Sequence, residues 1–278
     1  MKYIPSINIE SGIHKEFQYI VTPNAKEVLG NIINSYHSGI HSFTIIGNYG
    51  TGKSSFIVGL EKDLQEGTSN LVTNKEAFSN MPDFEFMNIV GDYASLSDVL
   101  ASKLNLAYFS DSKNIFEALN HKYKECKKEG KFLFIVIDEF GKILEYAANN
   151  NPERELYFLQ KLAEFVNHPS RNVILLTTLH QNFGSYAYKL DDAQRNEWLK
   201  IKGRFKEIVF VEPVEQLMFL ASEQLNGNFA VMNSITKTNF IELYSLAKKN
   251  NILSESLSLE TAKKLYPLDP ISASCLTF

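Results

Sequence analysis

The chain has 278 residues, enough for one compact α/β domain with a small appendage and too few for two large domains of equal size. Its 28 basic and 32 acidic side chains leave a net charge of -4, which excludes a protein held to nucleic acid by its global charge and leaves only a local patch for such a partner. Neither of the two cysteines, Cys126 and Cys275, lies beside a second Cys or a metal-spaced His, which argues against a disulfide framework or zinc site and for a reducing compartment.

The opening MKYIPSINIESGIHKEF lacks a basic region followed by an apolar one, and no stretch approaches ~18 uninterrupted apolar residues, so the expectation is a cytoplasmic protein without a membrane partner. Helical spacing over 24–36 precedes a short apolar strand, Ser42 to Ile46. That strand runs into Gly47, Asn48, Tyr49, Gly50, Thr51, Gly52, Lys53 and Ser54, which read GNYGTGKS, an uninterrupted phosphate-cradling P-loop; Ser55 continues into the helix expected over 53–65. The glycines permit backbone conformations that aim successive N–H groups at phosphate oxygens, and the helix behind them presents its positive end. Lys53 is expected to reach the β- and γ-phosphates and Ser54 to ligate Mg²⁺. A chance glycine turn is the bland alternative, disfavoured by the strand before the motif and the helix after it.

The polar stretch 67–83 reads as an exposed connection. Strands are expected at Phe84 to Val90, Phe132 to Ile137, Val173 to Thr177 and Ile208 to Val211, and helices over 95–105, 113–128 and 153–167, with Ser95 and Asp111 or Ser112 as N-caps. This alternation predicts a parallel five-stranded sheet flanked by helices. A boundary is expected near Glu212-Pro213, giving a P-loop ATPase core over 1–212 and a small C-terminal α-helical lid over 213–278, built from helices at 214–225, 238–249 and 258–265.

At the end of the apolar run KFLFIVIDEF stand Asp138 and Glu139, two adjacent acids that are expensive there unless they face a metal and a reacting water. Asp138 is expected to hold Mg²⁺ and Glu139 to polarise the water that attacks the γ-phosphate; a helix N-cap is the alternative duty. The next strand, NVILLTTLHQ, ends in hydroxyl residues, of which Thr178, with Thr177 in reserve, is expected to sense the γ-phosphate unless both are ordinary strand residues; His180 receives no role. A guanine-reading N/TKxD segment is missing, since Thr73-Asn74-Lys75 is followed by Glu76, so ATP is favoured over GTP.

GNYGTGKS, FIVIDEF and VILLTT, in this order, resemble the Walker A, Walker B and sensor-1 segments of AAA+ ATPases, particularly the initiator-like and STAND-like branches. The likeness covers roughly residues 17 to 225 and includes KGRFKEIVFVEPVEQLMFLASEQL, which is similar to the family's passage from an arginine-bearing helix end through the fifth strand into the lid. It implies a P-loop fold, ATP and Mg²⁺ as ligands, assembly into homo-oligomers through ATP sites, and Arg204 as an arginine finger acting on a neighbour; a solvated Arg204 is the alternative, with Arg195 and Lys202 nearby. It also places an adenine-contacting segment at Tyr19 to Pro23, where Val21 and Pro23 serve equally as packing residues. No arginine follows Arg204, so the family's lid arginine has no counterpart; the lid lysines 248, 249, 263 and 264 read as a solvated face. The apolar end ISASCLTF reads as the break of a longer protein, with an effector domain or protein beyond it. The resemblance permits a nucleic-acid-linked or phage-defence role. The leading function is an ATP-hydrolysing switch or motor that couples nucleotide state to an attached effector; a nucleotide-gated scaffold with little turnover is the competing function, and a small-molecule kinase finds no support beyond the P-loop.

Overall fold

Lys131–Asp138, apolar on both faces, forms β3 in the computed structural model of the chain, and both faces are buried. Leu133, Ile135 and Ile137 point into one core; Phe132, Phe134 and Val136 point into the other, as the two-residue period of a strand requires. The structure describes residues 7–11, 17–67, 71, 72, 78, 81, 83–106, 111–225, 229 and 233–275.

In chain order the elements of the larger unit are α1 (Pro23–His37), β1 (Ser42–Ile46), α2 (Lys53–Glu66), β2 (Asp83–Val90), α3 (Leu96–Lys103), α4 (Ser112–Lys128), β3, α5 (Phe140–Asn149), α6 (Pro152–Val166), β4 (Val173–Leu179), a 3₁₀ turn at Phe183–Ala187, α7 (Asp192–Lys202) and β5 (Lys206–Val209). The five strands are parallel in the order β2-β3-β4-β1-β5. Helices α1 and α2 cover the Phe43 and Phe134 face, and α3 to α7 cover the face that holds Leu133 and Leu175. Local chemistry starts these helices: Thr22 accepts the Ala25 N–H and Pro23 opens α1, Asp111 accepts the Asn114 N–H at 2.8 Å, and Asp191 and Gln194 form a reciprocal box at α7.

Four sequence expectations are corrected or refined. The stretch 67–83 is not simply an exposed connection: Leu71 and Phe78 are buried, with the Phe78 ring 5.4 Å from Phe134 and 6.0 Å from Phe132, because burying aromatic surface outweighs the polar character of its neighbours. Residues 68–70, 73–77, 79, 80 and 82, including the segment read for guanine specificity, lie outside the described residues. Ser95 stands at the N-cap of α3 as expected but makes no side-chain cap hydrogen bond; its hydroxyl instead bonds Ser97 at 2.8 Å and donates to the buried Glu155 carboxylate at 2.8 and 2.9 Å. Helix α5 was not expected, although Phe140, Ile143, Leu144, Ala147 and Ala148 carry the helical period and are all buried. Strand β4 runs on to Leu179 and β5 begins at Lys206, shifts of two residues from the expected bounds.

A second compact unit begins at Glu212 and contains α8 (Val214–Leu225), α9 (Ser234–Lys249), α10 (Leu259–Lys264) and α11 (Pro270–Cys275). Met218, Ala247, Leu253, Leu257, Leu265 and Ala273 form its own small core. Its lysines serve local needs: Lys248 Nζ donates to Ser254 O and Glu255 O at 2.5 and 2.7 Å, and Lys264 pairs with Glu223 at 2.7 Å. Among the described residues no helix is long and apolar enough to cross a membrane.

Candidate nucleotide site

Strand register brings the motifs together. Ile46 pairs with Leu179 on one side and Val209 on the other, Ile137 pairs with Thr177, and Val90 pairs with Asp138, so the carboxyl ends of β1, β3 and β4 open side by side. In an open parallel sheet this edge is where ligands bind. Gly47 leaves β1 with its N–H bonded to Leu179 O at 3.1 Å, and a Cβ there would collide with the Phe210 carbonyl. Gly52 stands at φ 90°, a left-handed conformation that starts α2 without a side-chain cap.

Lys53, 5% exposed, lies at the first position of α2. Its ammonium donates to Gly47 O at 2.5 Å and Asn48 O at 2.8 Å and lies 3.5 Å from His180 Nδ1. Burial holds its pKa below the ordinary lysine value, partly offset by Asp138 and Glu139. Among the described residues no carboxylate forms an ion pair with it, so main-chain carbonyls satisfy a cation suited to an incoming anion. Ser54 Oγ donates to Asp138 Oδ2 at 2.7 Å. Thr51 Oγ1 closes the loop on Asn48 O at 2.9 Å, Ser55 lies in the first turn of α2, and Tyr49 projects outward at 78% exposure with its ring stacked on His180.

Thr178 is fully committed. Its hydroxyl donates to Asp138 Oδ1 at 2.5 Å and accepts the Glu139 N–H at 2.9 Å. Thr177, the reserve, faces away, donating to Phe43 O at 3.1 Å beside Thr44 Oγ1 at 2.9 Å. Glu139 stands at φ 52°, ψ 35°, a left-handed conformation costing about 1–2 kcal/mol for a residue with a Cβ. Its N–H is held by Thr178 and by Asp138 Oδ1, and its carboxylate meets Lys142 Nζ at 2.6 Å, a bond that raises the lysine's pKa. Such strain at a motif residue is characteristic of functional sites. Beside it opens a cavity of about 680 Å³ lined by Glu139, Lys142, Glu145, His180, Gln181 and Tyr186 among others.

The donors fit a magnesium-bound triphosphate: a hydroxyl and a carboxylate oxygen already in contact, a buried ammonium and a loop of main-chain N–H groups. Among the described residues no cluster of three or more His, Cys, Asp or Glu could cage a metal without such a ligand.

Arg204 is not at this edge. It sits in the turn before β5, where Lys206 pairs with Phe43 and the Arg204 carbonyl accepts from Ser42 Oγ at 2.6 Å. That is the opposite end of β1, roughly 13 Å along the strand from the P-loop at ~3.3 Å per residue. Its guanidinium pairs with Glu164 at 3.2 Å. Arg195 bonds Leu190 O and Asp192, and Lys202 pairs with Glu207 at 3.3 Å. In the segment expected to contact adenine, the Tyr19 ring fills the space where a Cβ on Gly59 would stand, and Pro23 opens α1. The residues missed in the sequence are His180 and Lys142, which no motif marks.

A parallel sheet in the order β2-β3-β4-β1-β5, with a P-loop after β1 and an acidic pair closing β3, defines the core of a P-loop NTPase. Comparison with solved structures refines the class. The Aeropyrum pernix ORC2 protein in its ADPNP-ADP complexes superposes with a TM-score of 0.50 at 13% identity, covering 92% of this chain and 71% of that one. Its ADP form gives a TM-score of 0.50 at 13% identity over 92% and 72% of the two chains. Cdc6p from Pyrobaculum aerophilum is more distant, with a TM-score of 0.40 at 16% identity over 76% of this chain and 51% of that one. No family model matches the sequence, and the comparison with curated proteins finds no match. The chain shares the α/β fold of the ORC2 protein.

Proposed function

We propose that the chain is an ATP-binding and ATP-hydrolysing AAA+-like switch or motor module that couples nucleotide state to an effector. The observation that carries the reading is the 2.7 Å hydrogen bond from Ser54 Oγ to Asp138 Oδ2, which joins motifs 84 residues apart into one pair of hard oxygen donors beside the buried Lys53. When bound, Mg²⁺ would neutralise charge on the phosphate oxygens around the electrophilic γ-phosphorus. Lys53 would give up Gly47 O and Asn48 O to bind the β- and γ-phosphate oxygens, Ser54 and Asp138 would hold the cation, and a Glu139 carboxylate oxygen would accept the proton of the attacking water. Thr178 fixes both acids: it restrains the Asp138 carboxylate and the Glu139 backbone in one contact pair.

Magnesium dependence tests this reading. Calorimetry is expected to show ATP affinity falling tenfold or more when EDTA replaces Mg²⁺, and Asp138→Asn is expected to lose most of that difference while staying folded. Equal affinity with and without Mg²⁺ in the wild-type chain would count against the Ser54 and Asp138 assignment.

A second reading, the nucleotide-gated scaffold with little turnover, draws support from the 2.6 Å contact between Lys142 and Glu139, which restrains the base. The fold-level likeness extends the proposal to homo-oligomers sharing ATP sites, in a cytoplasmic setting, with an effector in nucleic-acid or phage-defence chemistry.

The placement of Arg204 at the far end of β1 supports action on a neighbour's phosphate in place of its own. Arg204→Ala is expected to leave ATP affinity within about threefold while lowering assembly-dependent turnover by the ~10³ or more that such cations supply. Mixing Arg204→Ala with Lys53→Ala protein, each inactive alone, is expected to restore partial turnover, because some interfaces unite an intact Arg204 with an intact P-loop. No recovery in demonstrably mixed oligomers leaves Arg204 a surface cation.

A further inference from the structure

We infer that the buried Glu155 is a positioning residue for Glu139: from α6 it anchors the loop between β2 and α3, and that loop braces the strained Asp138-Glu139 peptide from which the base addresses water. The inference rests on the hydrolysis reading above. Glu153 and Glu155 both lie in the first turn of α6, yet Glu153 faces solvent while Glu155 is 5% exposed. A carboxylate taken out of water is costly unless donors satisfy it, and here they come from another helix. Ser95 Oγ donates to its two oxygens at 2.8 and 2.9 Å, and the Leu96 N–H, at the open start of α3, donates to it as well. Burial raises the pKa of the carboxyl, and these donors pull it back down. Because Ser95 spends its proton on the carboxylate, the 2.8 Å contact between Ser95 and Ser97 takes its proton from Ser97.

The loop from Gly91 to Ser95 joins this anchor to the acidic pair. At its near end the Gly91 N–H donates to Asp138 O at 2.7 Å, the last rung between β2 and β3. Gly91 lies so close to the next residue that a Cβ there would stand 2.6 Å from Glu139 O. The peptide joining Asp138 to Glu139 is thus gripped on both edges, its carbonyl by Gly91 from β2 and its N–H by Thr178 from β4 at 2.9 Å. That grip fixes the rotation of the peptide and with it the φ of 52° at Glu139, a conformation that persists only where its surroundings over-determine it.

The contacts close a circuit through Glu139. That residue leads directly into α5, and Asn150, which ends α5, donates to Tyr93 Oη at 3.3 Å in the middle of the same loop; the Tyr93 and Tyr146 rings meet edge to face with centroids 5.4 Å apart. Asn151 then caps α6, which carries Glu155 back to Ser95. Without the Glu155 carboxylate, the loop loses its buried anchor and hangs on the partly exposed Tyr93. Gly91, Ser95 and Glu155 supply no phosphate or metal ligand in the reading above, so their effect on turnover separates from any effect on nucleotide affinity.

The test uses the full, assembled chain, with turnover read by phosphate release, ATP affinity by calorimetry and amide exchange by mass spectrometry. Glu155→Gln sets an NH₂ group against a hydroxyl that already accepts from Ser97, and is expected to lower kcat about tenfold to a hundredfold while ATP affinity stays within about twofold. Gly91→Ala, which disturbs the same peptide from the other end of the loop, is expected to give the same split, and Ser95→Ala a smaller one. Amide exchange over residues 91–96 and around residue 139 is expected to rise about tenfold or more in Glu155→Gln. A double variant separates positioning from simple loss of folded protein: with Glu139→Gln in place there is no base to position, so adding Glu155→Gln is expected to lower the residual turnover by less than about twofold. An equal factor in both backgrounds, or unchanged exchange around residue 139 in a folded Glu155→Gln protein, overturns the role of Glu155 and leaves Glu139 standing as the base. Wild-type turnover in Glu139→Gln alone overturns both.

Discussion

Lys53→Ala is expected to weaken ATP binding at least a hundredfold without unfolding the chain. The ammonium is the one side-chain cation that the P-loop itself aims at the site, and hydrogen bonds to charged groups contribute about 1.5–3 kcal/mol each, so losing two of them spans two decades or more in affinity. Stability should move little. In the nucleotide-free chain this buried cation faces two main-chain carbonyls and His180 with no carboxylate ion pair among the described residues, and burial already disfavours its charged form. Removing a charge so placed relieves desolvation as it loses hydrogen bonds, and the two effects oppose each other. Calorimetry gives the affinity and thermal unfolding the stability. Unchanged ATP affinity in a folded Lys53→Ala protein would falsify the P-loop assignment.

Glu139→Gln is expected to lower turnover by about 10²–10⁴ while ATP affinity stays within about threefold. Glutamine matches glutamate in size and keeps the left-handed backbone that Thr178 and Asp138 hold, so the site should keep its shape. What it lacks is a basic oxygen able to take a proton from water. It also loses the ion pair to Lys142, a contact between half-exposed groups whose removal costs at most about 1 kcal/mol. Turnover is measured in the assembled protein by phosphate release, and binding on the same preparation. Wild-type rates in the variant would move the base to another acid, and wild-type turnover near zero would favour the scaffold reading.

Much of the fold was legible in the residue order. Strands β1 and β3 read directly as apolar runs because a central strand of a parallel sheet is buried on both faces, and the alternation of strands and helices then leaves few topologies. GNYGTGKS and the Asp138-Glu139 pair were legible for a different reason: a phosphate loop and an acidic strand end are local chemistry, set by neighbours in sequence. The period of α5 was equally present, hidden behind the acidic pair that precedes it. Phe78 misled because a single buried aromatic in a polar stretch leaves no periodic trace, and what buries it is Phe84, Phe132 and Phe134, the last two from a distant strand.

Sequence by itself determined the strand chemistry, the P-loop and the acidic pair, since each depends on residues within a few positions of one another. Only the tertiary structure decided that Thr178 is engaged by Asp138 and Glu139, that Arg204 lies at the opposite end of β1 from the P-loop, and that His180 stands against Lys53. Those relations depend on strand order and register, which bring residues 39 to 162 positions apart into hydrogen-bond contact, and no local pattern encodes them.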